Sequence, residues 1–482
     1  MNFLPVVPFL ADLPVVKEAE GSPFQILLPL GLILIAAKIF SLLAQKIHLP
    51  QVVGFLVSGL VIGLIILIPG QKAFTSYTQY GLQFFSKVGV IFILFSAGLE
   101  TDLNRIKKMG VSAMVITVLG VVVPFLFGFL MSYVYNLLHP GVLEVYTIDA
   151  SGVKSLSVKP VFTELYYGVI LAATSVSITV ATLKELGKLD SDVGTAIVSA
   201  AIIDDLIGVI LLSLVISLAK SGDEEAMASG TDFVSMIMRA SGSTSAALQI
   251  VLILLFMAVF FGLTFGIGKL LKSTFNWLSK KYPHHIRITI FAIGFCFLWS
   301  YLAEFFNIAD ITGAYLAGLV LSKTATKGYI DERTNTITNN IFSPVFFAVT
   351  AGSMYLTNSN GAFDWNFFAF GILWIVMGLL GKVIGAGVGA KICKFSMKDS
   401  LIVGTGMMAR AEVLVVAAQT GIDAGIIHPT IMPYVIGVIL VSSFLTPILL
   451  KVEYKGKLDR AAMGKADLEA LDKPETKEAV TK

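Results

Sequence analysis

The sequence predicts an all-α polytopic membrane protein of about 13 transmembrane helices, on three observations. Of its 482 residues, 56% are hydrophobic and only 14% are charged, where a soluble domain carries about 25% charged residues. Apolar blocks of about 20 residues, the length that crosses a bilayer, recur between residues 24 and 451. Lys and Arg fall mainly on alternate loops, the bias that orients such helices. The net charge of +3 is small, so no nucleic-acid surface is implied. Cys296 and Cys393 form neither a metal spacing nor a disulfide framework.

In chain order, residues 1–23 lack a basic leader and contain Pro5, Pro8 and Pro14. They read as an extracytoplasmic lead-in rather than a signal peptide or a span. Residues 24–451 form the membrane domain, with segments at 24–47, 51–68, 82–103, 109–135, 163–187, 192–218, 247–275, 287–306, 309–324, 338–356, 366–392, 397–422 and 429–451. Residues 452–482 are charged and too few for a second globular domain. Counted with the adjoining segment ends, the loops after the odd-numbered segments hold 17 Lys and Arg and the tail from Lys451 holds 8, against 6 on the other face. This places the C-terminus in the cytoplasm and the N-terminus outside.

The chain also repeats itself. Gly54-Phe-Leu-Val-Ser-Gly59 in the second segment recurs as Gly313-Ala-Tyr-Leu-Ala-Gly318 in the ninth. Phe85-Ser86 leading to Ala97-Gly98 recurs as Phe342-Ser343 leading to Ala351-Gly352. The offset of seven segments is odd, so the second copy is inverted in the membrane: two six-helix inverted-topology repeats, 24–218 and 287–451, joined by a linker helix at 247–275. Inverted repeats are an architecture of secondary transporters, whose site lies at the repeat interface between discontinuous helices.

That interface has candidate residues. Asp204 and Asp205 stand in the middle of an apolar run from Val193 to Leu218. A carboxylate at that depth costs about 2.5–3.5 kcal/mol and marks function by default. A soluble amphipathic helix would carry one apolar stripe, whereas this run is apolar on all sides. Thr174 and Ser175 lie in a polar cluster within the fifth segment, and Gly406 to Glu412, with Arg410, lies in its repeat partner, the twelfth. Both stretches read as crossed, broken helices whose freed carbonyls and helix ends can face a cation. Hydroxyls bonded back to their own helix are the plainer reading of the Ser/Thr cluster alone. Lys382 sits too deep in the eleventh segment to snorkel and needs a carboxylate partner, Asp204 or Asp205. Lys38 and Lys87 lie nearer segment ends and read as snorkelling.

Adjacent helical residues point about 100° apart, so the two aspartates divide their labour, one facing an aqueous path and the other a neighbouring helix. This argues against an aspartyl protease. A hard monovalent cation takes a carboxylate, carbonyls, hydroxyls and water. Proton and cation then compete for one carboxylate, and if only the occupied site reorients, exchange is obligatory.

With these motifs in hand, the chain resembles the monovalent cation:proton antiporter-2 family, especially its bacterial sodium/proton antiporters (NapA-like, with a Kef-type membrane domain). The resemblance rests on Ala172 to Thr179, Asp204-Asp205, Lys382 and the Gly-Met-x-x-Arg-x-Glu pattern of Gly406 to Glu412. It implies the sodium/proton antiporter fold, with Asp205 as the ion-binding carboxylate for Na⁺ and an Asp204–Lys382 salt bridge coupled to protons. Thr174 and Ser175 would add ligands, and Arg410 with Glu412 would balance the crossing helix ends. It further implies electrogenic exchange of Na⁺, or Li⁺, for H⁺ in the bacterial cytoplasmic membrane, no cofactor, no nucleotide-binding regulatory domain, and a homodimer working like an elevator. Gly59-xxx-Gly63 is a further small-residue signal for that dimer. Where the family often has Pro and Gly around the arginine, this chain has Ala409 and Ala411.

Residue types leave potassium/proton or mixed exchange open. A gated cation channel would need a pore and a gating domain, which the sequence does not display. An enzyme is disfavoured, since no HExxH and no Ser/His arrangement occurs and His48, His139, His284, His285 and His428 all fall in predicted loops.

Overall fold

The computed structural model describes residues 23–46, 49–68, 71, 73–101, 110–148, 154–175, 177–189, 191–219, 232–241, 245–281, 286–352 and 365–471. The lead-in before Pro23, the His284-His285 pair and the last eleven residues of the tail lie outside them. The helices are α1 (Leu27–Lys46), α2 (Gln51–Gly63), α3 (Ser76–Glu100), α4 (Val111–Leu138), α5 (Pro160–Ala172), α6 (Ser177–Glu185), α7 (Asp192–Ala219), α8 (Phe233–Ser241), α9 (Ala246–Lys281), α10 (Ile286–Phe305), α11 (Asp310–Leu321), α12 (Lys327–Ile337), α13 (Ser343–Gly352), α14 (Trp365–Ile392), α15 (Met397–Gly406), α16 (Glu412–Asp423) and α17 (Met432–Leu471). Among the described residues, eight helical stretches are long and apolar enough to cross a membrane.

Four features differ from the sequence reading. A hairpin, β1 (Tyr146–Ile148) with β2 (Lys154–Leu156), interrupts the otherwise helical chain, Tyr146 opposite Leu156. The short helix α8 occupies a region read as loop. The tenth segment begins earlier, because the polar helix α12 runs through one π-helical turn, Thr338–Phe342, into α13. The last span continues as one 40-residue helix to Leu471 rather than ending near the membrane. Its extension is rich in Ala, Leu, Lys and Glu, all strong helix formers, and meets no proline before Pro474.

The helices pack as two sets. In one, α1 lies on α2, α2 on α13, α3 on α11 and α10 on α11. In the other, α4 packs on α14, α5 and α7, and α14 on α15 and α17. Close approach is built from glycines. On α14, Gly381, Gly385 and Gly389 recur every fourth residue, and a Cβ on them would meet Pro124, Leu119 and Ile116 of α4. Small residues on one helix face allow such backbone contact. Gly59 abuts Ala348 of α13, and Gly63 lies beside Gly352. The Gly59-xxx-Gly63 pair is therefore used within the chain, not on a free dimer face.

The repeated glycines also do the same job twice. Gly54 abuts Ser41 and Gly313 abuts Ser300, each thirteen residues earlier in the chain, while Gly59 meets α13 and Gly318 meets Phe95 of α3. Segment two thus packs on segment ten as segment nine packs on segment three.

Candidate functional site

Two helix pairs are interrupted near the middle of the second set, and their interruptions meet. α5 stops at Ala172 because Ala173 adopts an extended conformation (ψ 141°), and the chain resumes as α6. α15 stops at Gly406, and α16 starts after Ala411, whose backbone is not helical (φ −155°, ψ −120°). The Ser175 backbone N–H donates to the Ala409 carbonyl at 2.9 Å. Thr179 Oγ1 donates to the Gly406 carbonyl at 2.6 Å. The backbone groups freed at each break are thereby bonded across to the other, as buried polar groups require.

Two buried cations close the α5 end. Arg410, fully buried, donates from Nη2 to the Leu171 carbonyl at 2.5 Å and to the Gly378 carbonyl at 3.3 Å. Its backbone N–H donates to Ser442 Oγ at 3.1 Å. Lys382 Nζ donates to the Ala172 carbonyl at 2.8 Å. Positive charge at a helix C-terminus, and the Glu412 carboxylate in the first turn of α16, both complement the helix dipoles. Glu412 accepts a hydrogen bond from Ser175 Oγ at 3.1 Å.

The two aspartates lie at the midpoint of α7 and point apart. Asp204 is buried and forms an ion pair with Lys382, Oδ1 to Nζ 2.6 Å, with both side chains at 0–1% exposure. Its second oxygen, Oδ2, and Thr174 Oγ1 are buried without a hydrogen-bond partner among the described residues. Asp205 is half-buried and makes no hydrogen bond or ion pair to a described residue. Its helix face continues through Val209 and Ser213, and that face packs on α11 of the other set: Ser213 Oγ and Thr312 Oγ1 are 2.5 Å apart, and Thr312 Oγ1 lies 3.5 Å from the Val209 carbonyl.

The structure therefore brings together Asp204, Lys382, Thr174, Ser175, Arg410 and Glu412, and leaves Asp205 turned toward the junction of the two helix sets. Between those sets, at the end where α7 finishes and α11 begins, a cavity of about 860 Å³ opens. Lys87, Asp310 and Asp423 line it. Lys87 accordingly fronts this cavity, a placement for which sequence periodicity carries no signal. Burial of the Asp423 carboxyl raises its pKa, with Gln419 and Lys87 acting in the opposite direction.

The family model described as sodium/hydrogen exchanger, transmembrane, matches residues 31–452. The chain is 30% identical over 435 residues to the Na(+)/H(+)-K(+) antiporter GerN of Bacillus cereus, spanning 90% of this chain and 97% of that one. It is 28% identical to an Na(+)/H(+) antiporter of Enterococcus hirae, spanning 88% of this chain and 96% of that one. The fold is similar to that of the sodium proton antiporter MjNhaP1 from Methanocaldococcus jannaschii at pH 8, with a TM-score of 0.61 at 19% identity over 90% of this chain and 98% of that one.

Proposed function

The chain belongs to the sodium/hydrogen exchanger family, and from that premise we propose that this multi-pass membrane antiporter exchanges Na⁺ for H⁺ with Asp205 as the carboxylate that carries them in turn. The observation that carries the assignment is the contrast at α7: Asp204 is held by Lys382 at 2.6 Å, while Asp205 is half-buried and forms no hydrogen bond or ion pair among the described residues. An unpaired carboxylate can release a proton and accept a cation without first breaking an ion pair. Thr174 Oγ1 supplies a neutral ligand and Ser175 helps to hold the break open, whereas Arg410 and Glu412 balance the helix ends. Asp204 and Lys382 form a second, proton-linked switch, which makes the exchange electrogenic. No cofactor is required, and the chain is a transporter rather than an enzyme.

All thirteen segments are read as crossings, arranged as the two inverted repeats. Support comes from the paired glycine contacts, in which segments two and nine meet segments ten and three alike. The set containing α7 and α14 is read as the moving body and the set containing α3 and α11 as the fixed one, in a homodimer of the bacterial cytoplasmic membrane with its C-terminus inside. A second reading, K⁺ in place of or alongside Na⁺, draws on the printed name of GerN, which includes both ions.

The test is reconstitution into liposomes under a pH gradient, with Na⁺, Li⁺ or K⁺ added in turn and the voltage clamped by valinomycin in the Na⁺ and Li⁺ arms. Na⁺-triggered, voltage-dependent proton movement that vanishes in Asp205→Asn is the expected result. A response to K⁺ alone changes the cargo, and unchanged exchange in Asp205→Asn overturns the site.

A further inference from the structure

The helix face that carries Asp205 looks onto α11, and one residue there has no assigned role. Thr312, bonded to Ser213 on that face, is followed one helical turn later by Tyr315. Residues three apart on a helix share a face, so Tyr315 is presented to α7 beyond Thr312. The ring is 1% exposed. Its backbone is fixed: Gly98 of α3 abuts the Tyr315 carbonyl, and Gly318 of α11 abuts Phe95 of α3, so neither helix can slide without a clash.

The hydroxyl has a defined state. Thr101 Oγ1 donates to the Ala97 carbonyl at 3.0 Å. Its single proton is thus committed, and the 3.3 Å contact between Thr101 Oγ1 and the Tyr315 hydroxyl has the tyrosine as donor. The phenolic lone pairs remain available. The 3.3 Å separation lies beyond the usual range for an O–H···O bond, so the hydroxyl is weakly held and can turn. Ser217 Oγ, near the end of α7, donates to the Asn307 carbonyl just before α11 begins, so the two helices run antiparallel and Tyr315, a turn beyond Thr312, lies toward Asp205.

We propose that Tyr315 is a specificity-determining residue of the fixed wall: its hydroxyl oxygen completes the coordination of a hard monovalent cation at Asp205 while Asp205 stands opposite α11. The inference rests on the antiport reading. Because Tyr315 belongs to the helix set that does not carry Asp205, it can serve the site only in this arrangement. The cavity between the two sets opens at the end where α7 finishes and α11 begins, the end read as extracytoplasmic, so Asp205 and Tyr315 stand together in the arrangement open to that face. The consequence is sidedness, with tighter cation binding from one face than a site built from α7 alone would give.

The experiment compares right-side-out and inverted membrane vesicles, with wild type and Asp205→Asn run beside each variant. In Tyr315→Phe the ring and its packing remain. The KM for Na⁺ from the extracytoplasmic face is expected to rise about five- to tenfold, the worth of about one lost hydrogen-bond-strength contact, with kcat and the KM from the opposite face unchanged. Thr101→Val removes the acceptor of the phenolic proton but no lone pair of the phenol, so its KM is expected to stay near the wild-type value, whereas a merely structural Tyr315–Thr101 bond would make the two variants alike. An unchanged extracytoplasmic KM in Tyr315→Phe, or an equal rise from both faces, overturns the proposal. Wild type without Na⁺-dependent proton movement, or active Asp205→Asn, overturns the antiport reading instead.

Discussion

Two faces of α7 carry the same side chain into opposite circumstances. The face through Ile197, Ala200 and Asp204 packs inside its own helix set, where the Ala200 carbonyl accepts from Thr117 Oγ1 at 2.8 Å and Asp204 meets Lys382. The face through Asp205, Val209 and Ser213 lies at the seam with α11, and Asp205 meets no ionic partner among the described residues. A rotation of about 100° between neighbours is enough to hold one carboxylate in an ion pair, the fixture, and leave the other, the proposed carrier, without one among the described residues. The difference teaches that an adjacent acid pair need not be a two-carboxylate site.

The largest expected effect tests the carrier. Asp205→Asn keeps size and shape while removing the charge and the titration, so exchange should be lost while the protein elutes and melts like wild type. The opposite profile is expected for the fixture. Lys382→Gln leaves Asp204 buried without its cation, and breaking a buried pair costs about 3–5 kcal/mol. Thermal unfolding in detergent should therefore fall far more for Lys382→Gln than for Asp205→Asn. In the double variant Asp204→Asn with Lys382→Gln the charge is removed from both sides, so stability should largely return and the exchange that remains should lose its voltage dependence. If the single and double variants are equally unstable, the pair is not the fixture described.

Arg410 provides an intermediate test. It reaches the Leu171 and Gly378 carbonyls from one nitrogen, with Nε and Nη1 unbonded among the described residues. Arg410→Lys retains charge and loses the planar fork. Partial exchange with a lower melting temperature is expected, since the lysine can serve one carbonyl at best. Full loss of exchange at unchanged stability would give Arg410 a part in transport itself.

Much of this was legible in the sequence, for a physical reason. Charges inside apolar spans are expensive, so Asp204, Asp205, Lys382 and Arg410 stand out against their surroundings, and Lys382 announces a carboxylate partner. Glycine spacing carried the helix crossings, because only glycine admits backbone contact there. The second break was harder: Ala409 and Ala411 carry no local breaking signal, and the interruption is held by the bonds of Arg410 to Leu171 and Ser442, partners far away in sequence. Tyr315 was invisible, since an aromatic in an apolar helix reads as packing. The β1–β2 hairpin and the extension of α17 lie in polar sequence, where hydropathy has nothing to resolve.

The smallest expected effect separates ligand from structure most cleanly. Ser175 is committed to the fold, bonded through its backbone to Ala409 and through its side chain to Glu412. Thr174 Oγ1 is 2% exposed as a residue and forms no bond among the described residues. A buried hydroxyl without a partner carries a desolvation penalty of about 1–3 kcal/mol, so the fold gains nothing by keeping it. Thr174→Val preserves the shape and removes that oxygen, and stability should stay level or rise. If the oxygen serves the cation, the KM for Na⁺ should rise about tenfold or less, on the scale of one hydrogen bond, with the maximal rate unchanged. Ser175→Ala should show the reverse balance, a lower melting temperature with a smaller change in KM. Should Thr174→Val lower stability and leave the KM alone, the hydroxyl belongs to the fold, and the cation at Asp205 takes its neutral ligands from the freed backbone instead.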